Sequence, residues 1–326
     1  MILGLGAPLA PGILQVENAK LDIDQQTQVE ITGYNTAFQE NIKSMQVWFQ
    51  SGNINVCADE IKVVDDAHLT ATFTGISGLP FSSADLYVNN DHDGTLFFDN
   101  ALFVRKNDPS VTPPESCEVL VNNKDAAFFG FPNRSILNET IRNLHFHVPM
   151  WFAMMFIMFV SLFYSIKYLS SSDIKDDIAA KQAVNTGLVF AILGLATGSL
   201  WARFTWGTWW VDDAKLNGAA ITSLIYMAYL VLRSSVNDET KRARLGAVYN
   251  IFAYVMLLLF LMVLPRLTDS LHPGSGGNPA FSKYDLDSTL RMVFYPAVAA
   301  WIGLSFWLFT LRKRMAVLKY KIENDD

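Results

Sequence analysis

The sequence predicts a mostly α-helical polytopic membrane protein with five visible transmembrane helices and an amino-terminal all-β domain. Three observations carry this expectation. The 326 residues change character near Val148, with short alternating runs before it and long uncharged apolar runs after it. Each apolar run approaches the roughly 20 residues that a helix needs to cross the bilayer hydrocarbon. The basic residues between the runs gather on alternate loops, the bias that orients membrane proteins.

The elements follow in chain order. Residues 1–13 are apolar but too short to span, contain Pro8 and Pro11, and have no basic n-region. They are expected to be what remains of an amino-terminal transmembrane helix, the sixth of the full protein. Residues 14–106 alternate apolar and polar, as in Gln28-Val29-Glu30-Ile31-Thr32 and Leu69-Thr70-Ala71-Thr72-Phe73, with turn signals between the runs. This pattern predicts an antiparallel, immunoglobulin-like sandwich on the periplasmic side, and it resembles the IPT/TIG modules. His68 and His92 are expected at its surface beside acidic neighbours. Residues 107–135, polar and containing proline, read as a linker, residues 136–314 as the transmembrane domain and residues 315–326 as a cytoplasmic tail.

The apolar runs are Val148–Ile166, Gln182–Ala202, Leu216–Leu232, Leu245–Pro265 and Met292–Leu311. Lipid offers the backbone no hydrogen bonds, so runs of this length must close their own and become helices. Twelve basic residues follow the first, third and fifth runs: Lys167, Lys175, Lys181, Arg233, Lys241, Arg242, Arg244, Arg312, Lys313, Arg314, Lys319 and Lys321. The other side has Arg203, Lys215, Arg266, Lys283 and Arg291. The first group marks the cytoplasm, and Asn143–Val148, Arg203–Lys215 and Arg266–Arg291 then share the outer face. A net charge of −6 gives no footprint for nucleic acid. Cys57 and Cys117 form no CxxC pair, so no zinc or thioredoxin-like site is signalled, and the residues leave open whether the two are bonded.

Trp201, Trp206, Trp209 and Trp210 are four of the eight tryptophans and lie within ten residues. An interfacial belt and a flat platform for a planar macrocycle both account for them, and the residues alone hold these readings level. Gly207 within the cluster would allow close backbone approach.

The run Trp206-Gly207-Thr208-Trp209-Trp210-Val211-Asp212-Asp213-Ala214-Lys215-Leu216 closely resembles the WWD signature of the cytochrome c maturation protein C family. Leu144-His145-Phe146-His147-Val148-Pro149 resembles that family's His-Val-Pro approach to a span, and Leu271-His272-Pro273-Gly274 falls where its second outer histidine stands. The resemblance implies six helices and haem b held transiently at the outer surface of an inner membrane. His147 and His272 would be the axial ligands. Trp201, Trp206, Gly207, Trp209, Trp210 and Asp213 would form the cradle, with Arg203 and Lys215 beside it. Arg266 and Arg291 are further candidates to pair with the propionates. His145 competes with His147. Positions two apart on a helix point to nearly opposite sides, Pro149 suits the first turn of a helix that begins after His147, and the resemblance selects His147. Two positions depart from the family pattern. Asp212 stands where an aromatic is usual, and Lys215 replaces an arginine, turning a bidentate fork into a point charge.

The function implied is haem handling in cytochrome c biogenesis, with delivery to a periplasmic haem chaperone. The implied partners are that chaperone, an ABC-type ATPase complex, a small single-span subunit and the lipid bilayer. The chain contains no P-loop, and no nucleophile–base arrangement indicates catalysis. A haem lyase subunit and a b-type electron-transfer cytochrome are the alternatives. Both call for histidines within the helices, and the apolar runs contain none. A transporter would ordinarily carry intramembrane charge.

Overall fold

The computed structural model describes residues 2–40, 42–112, 114–121, 130–134, 137–268, 270–272 and 286–324. They form two compact units, residues 7–139 and residues 1–6 with 140–326.

The first unit is a two-sheet sandwich. One sheet runs in the order β1 (Gly12–Glu17), β3 (Gln26–Tyr34), β7 (His68–Thr74), β6 (Glu60–Val63). The other runs β2 (Lys20–Asp22), β9 (Gly94–Arg105), β8 (Ser83–Asn90), β4 (Gln46–Ser51), β5 (Ile54–Cys57). The strands pair antiparallel except β2 with β9. Alternation decides which side chains face inward: along β7, Leu69, Ala71 and Phe73 are buried while the residues between them are not. Phe49 of the second sheet meets Phe73 of the first edge-on, with ring centroids 5.3 Å apart. His68 and His92 lie at the surface against Asp65 and Asp93, as expected.

The segment expected to be a linker is instead tied to the sandwich. Cys117 is bonded to Cys57, the Cys117 amide donates to the Asn55 carbonyl, and the Leu120 amide donates to Gln46. Phe131 is fully buried and bridges Leu9. Near the amino terminus only α1 (Ile2–Gly6) is helical, and Gly12 already belongs to β1.

Among the described residues, the second unit has five helices long and apolar enough to cross a membrane, making this a multi-pass membrane protein. They are α2 (Leu144–Ser171), α3 (Ile174–Trp206), α4 (Ala214–Ser234), α5 (Glu239–Leu258) with its continuation, and α7 (Ser288–Asn324). The stretch 216–232, the shortest apolar run, lies within the 21-residue α4. One expectation is corrected. The first long helix starts at Leu144, not after His147, because a 3₁₀ turn at Asn138–Asn143 feeds the chain in already wound. Pro149 therefore lies inside α2, and His147 sits in its first turn. Helix α7 runs on through residues 315–324.

Small residues and a few polar contacts hold the bundle. Water does not drive helices together in lipid, so close packing and internal hydrogen bonds replace it. Asp177 of α3 and Arg233 of α4 form a bidentate pair at 2.5 and 2.6 Å, with side chains only 6% and 7% exposed. The guanidinium packs against Gly246 of α5, where a Cβ would collide with it. Asn250 of α5 donates to Ser161 and Ser165 of α2.

Helix α5 runs into a π-helical turn at Leu259–Val263 and then α6 (Leu264–Leu267). Pro265 supplies the cause: it has no amide to return to residue 261, and its ring crowds that carbonyl. The Leu264 amide accordingly reaches back to Leu259. Gly218 of α4 lies against the Phe260 carbonyl of this widened turn, too close for any side chain.

Candidate haem-binding site

The seam between α2 and α3 places the first histidine. Gly187, Gly194 and Gly198 of α3 receive Met158, Trp151 and His147 of α2 in turn, as the antiparallel register requires. A Cβ at each glycine would fall within 2.5–2.8 Å of its partner. His147 lies in this groove, its ring edge-on to Trp151 and Trp201 with centroids 6.3 and 5.8 Å away. Its Nδ1 is 3.1 Å from the Gly194 carbonyl and 3.2 Å from Thr197 Oγ1. A carbonyl only accepts, and the Thr197 hydroxyl already donates to Leu193, so Nδ1 carries the proton. Nε2 is left with its lone pair and, among the described residues, no hydrogen bond.

His145 lies elsewhere. It is buried beside Gly4 of α1, away from the α2–α3 groove.

The Trp loop begins where α3 ends. Gly207 terminates the helix at φ +77°, a conformation that glycine adopts without strain. A Cβ there would meet nothing within 4 Å, so backbone torsion explains this glycine, and close approach does not. Arg203 folds back to donate to the Gly207 carbonyl. Trp201 donates its indole N–H to Thr140, and Trp210 donates to Asn217, which in turn holds Asp212. The outer faces of Trp209 and Trp210 stay open to solvent, at 59% and 42% exposure. Asp212, standing where the family has an aromatic, thus braces the loop through Asn217.

Asp213 gathers the remaining elements. It is the N-cap of α4, its Oδ1 accepting from the Lys215 and Leu216 amides at 2.9 and 3.3 Å. Its Oδ2 accepts from Ser270 Oγ at 2.7 Å and from the Leu271 amide at 2.9 Å. His272 Nδ1 lies 3.1 Å from Oδ1, and the imidazole stands edge-on to Trp206 with centroids 5.2 Å apart. Burial alone would push this carboxyl up; the contacts from His272, Ser270 and the Leu271 amide outweigh it and hold the group well below the ordinary carboxylate range. The Asp213 carboxylate thus stands within ion-pair reach of His272, although no aligned hydrogen bond joins Nδ1 to it.

His147 therefore turns Nδ1 to the protein and keeps Nε2 available, the arrangement in which imidazoles ligate metals, while His272 sets its Nδ1 beside a carboxylate. The donor set, two neutral nitrogens beside open indole faces, fits a haem iron and its macrocycle. Arg266 is exposed in α6. Lys283, with Pro273 and Gly274 after His272, lies outside the described residues. Sequence reading did not single out Gly194, Thr197, Gly198 or Ser270. The spacing of small residues in Gly194-Leu195-Ala196-Thr197-Gly198 was the available signal for the first three.

The family described as heme exporter protein C matches residues 115–326. Among individual relatives, a heme exporter protein C of Bradyrhizobium diazoefficiens is 36% identical over 118 residues, 36% of this chain and 45% of that protein. One of Paracoccus denitrificans is 26% identical over 183 residues, covering 56% of this chain and 76% of that protein. A cytochrome c biogenesis protein CcsA of Prochlorococcus marinus is 39% identical over 87 residues, 27% of each chain. The chain thus spans less than half the length of the Bradyrhizobium protein. The family match takes in the five membrane-capable helices of the described residues, the Trp loop, His147 and His272, and the chain belongs to the heme exporter protein C family.

Proposed function

We propose that this protein handles haem during cytochrome c biogenesis. It holds haem b transiently at the periplasmic face of the inner membrane and passes it to a periplasmic haem chaperone. His147 and His272 are the axial ligands. Trp206, Trp209 and Trp210 form the shelf, with Trp201 behind His147 and with Arg203 and Lys215 at its margin. An ABC-type ATPase complex and a small single-span subunit work with it. One observation carries the reading: the imidazole nitrogens of His147, held through Nδ1, and of His272, set beside Asp213, lie next to Trp201 and Trp206 of the Trp cluster. Haem supplies the iron that these nitrogens ligate; the protein binds it, orients it and lets it go.

The test is the absorption spectrum of the purified protein titrated with haem. The wild type is expected to give a six-coordinate bis-histidine spectrum, and His147→Ala or His272→Ala to lose it. A bis-histidine spectrum that survives both substitutions refutes the assignment. The CcsA relative keeps attachment of haem to apocytochrome as a second reading, and covalent haem on an added apocytochrome would identify it.

A further inference from the structure

The two histidines differ in what their Nδ1 faces. His147 faces a neutral backbone carbonyl and a hydroxyl. His272 faces a carboxylate whose side chain is only 1% exposed. We infer that Asp213 is a positioning residue for haem iron: it fixes the tautomer and direction of His272 and, through its charge, makes His272 the stronger of two unequal axial donors. This rests on the haem-binding reading above.

Three features of the geometry support this. First, Asp213 is committed on every side, with two amides of α4 on one oxygen and Ser270 and Leu271 on the other. It cannot swing away from His272 without uncapping α4 and releasing the loop. Second, Ser270 is itself locked, its hydroxyl donating to Asp213 and its oxygen accepting from the His272 amide. The backbone that carries His272 is thereby set by the same carboxylate that stands 3.1 Å from its ring. Third, a carboxylate behind a ligating imidazole raises the basicity of that imidazole. A more basic donor favours the higher charge on iron, so Asp213 biases the iron toward the ferric state, and His147 has no such partner.

Two measurements decide the matter. The first needs no haem: nitrogen-15 histidine spectra of the detergent-purified apoprotein, with His272 assigned from a His272→Ala spectrum. The wild type is expected to show His272 protonated on Nδ1, and Asp213→Asn to lose that preference. An Nε2-protonated His272 in the wild type, or a tautomer unchanged in Asp213→Asn, overturns the inference.

The second is the reduction potential of the haem-loaded protein. Asp213→Asn keeps a good capping oxygen but removes the charge. It is expected to raise the potential by the equivalent of a tenfold loss of ferric preference, about 59 mV for one electron. Ser270→Ala loosens the loop and keeps the charge, so it is expected to leave the potential in place. An unchanged potential in Asp213→Asn, or an equal shift in Ser270→Ala, assigns Asp213 a purely structural role. If Asp213→Asn no longer retains haem, the apoprotein tautomer alone decides. A wild type without a bis-histidine spectrum refutes the haem-binding reading itself and removes this role with it, whatever the tautomer.

Discussion

Replacing Gly198 with alanine tests whether the α2–α3 groove is built around His147. The added Cβ would lie 2.5 Å from Cε1 of the imidazole, against the roughly 3.5–4.0 Å at which carbon atoms rest in contact. The overlap is thus about 1 Å or more, and the atom struck belongs to a rigid ring, so it cannot be relieved at a flexible tip. Either the ring shifts or the helices part. Overpacking of this kind costs about 1–3 kcal/mol. If the ring gives way, its bonds to Gly194 and Thr197 stretch and Nε2 loses its aim, and the cost is felt in ligation. At 1.4 kcal/mol per tenfold, haem binding should weaken by about 5- to 150-fold. The assay is a haem titration of the purified variant followed by its absorption bands. Gly303→Ala in α7 is the control, since a Cβ there meets nothing within 4 Å. Wild-type affinity and an unaltered bis-histidine spectrum in Gly198→Ala would refute the reasoning.

Other perturbations have defined outcomes. His145→Ala should keep haem while lowering thermal stability, because His145 packs beside α1 and not in the groove; loss of haem with unchanged stability would reverse the assignment. Removing one partner of the Asp177–Arg233 pair should destabilise the bundle by about 3–5 kcal/mol, because a buried charge is left alone. Asp177→Asn with Arg233→Met together should cost less than either single change, and a double-mutant cycle on unfolding midpoints checks this. Cys57→Ser with Cys117→Ser should lower the stability of the β domain by about 4 kcal/mol, the chain-entropy value for a separation of 60 residues. Hydrogen exchange at the amides of β4 and β5 reads that loss.

The architecture was legible because lipid imposes a blunt rule on composition: long uncharged runs must be helices, and each of the five runs lies in a membrane-capable helix of the described residues. The β domain was legible from alternation, which Leu69, Ala71 and Phe73 obey. Helix limits were less legible, since a run defined by apolar residues ends at the first charge. Helices continue through charges wherever caps and salt bridges permit, as α7 does beyond Arg312, Lys313 and Arg314. The Trp cluster announced itself by density. The contacts that organise it did not. Asp213 meets Ser270 across 57 positions of chain and the Leu271 amide across 58, and Gly198 meets His147 across the α2–α3 turn. Such pairings depend on helix register, which no local window reports. Cys117 was read as part of a free connector because its neighbours are polar; its partner lies 60 residues away.

The bond between Cys57 and Cys117 also bears on when and where the sheet domain matures. Cytosolic thiols are kept reduced, so a structural cystine closes only after its segment has reached an oxidising compartment. On the proposed periplasmic placement, the domain would then cross the membrane unlocked and be fastened on arrival. Cells lacking their thiol-oxidising machinery should therefore accumulate this protein with helices inserted and the sheet domain open to protease.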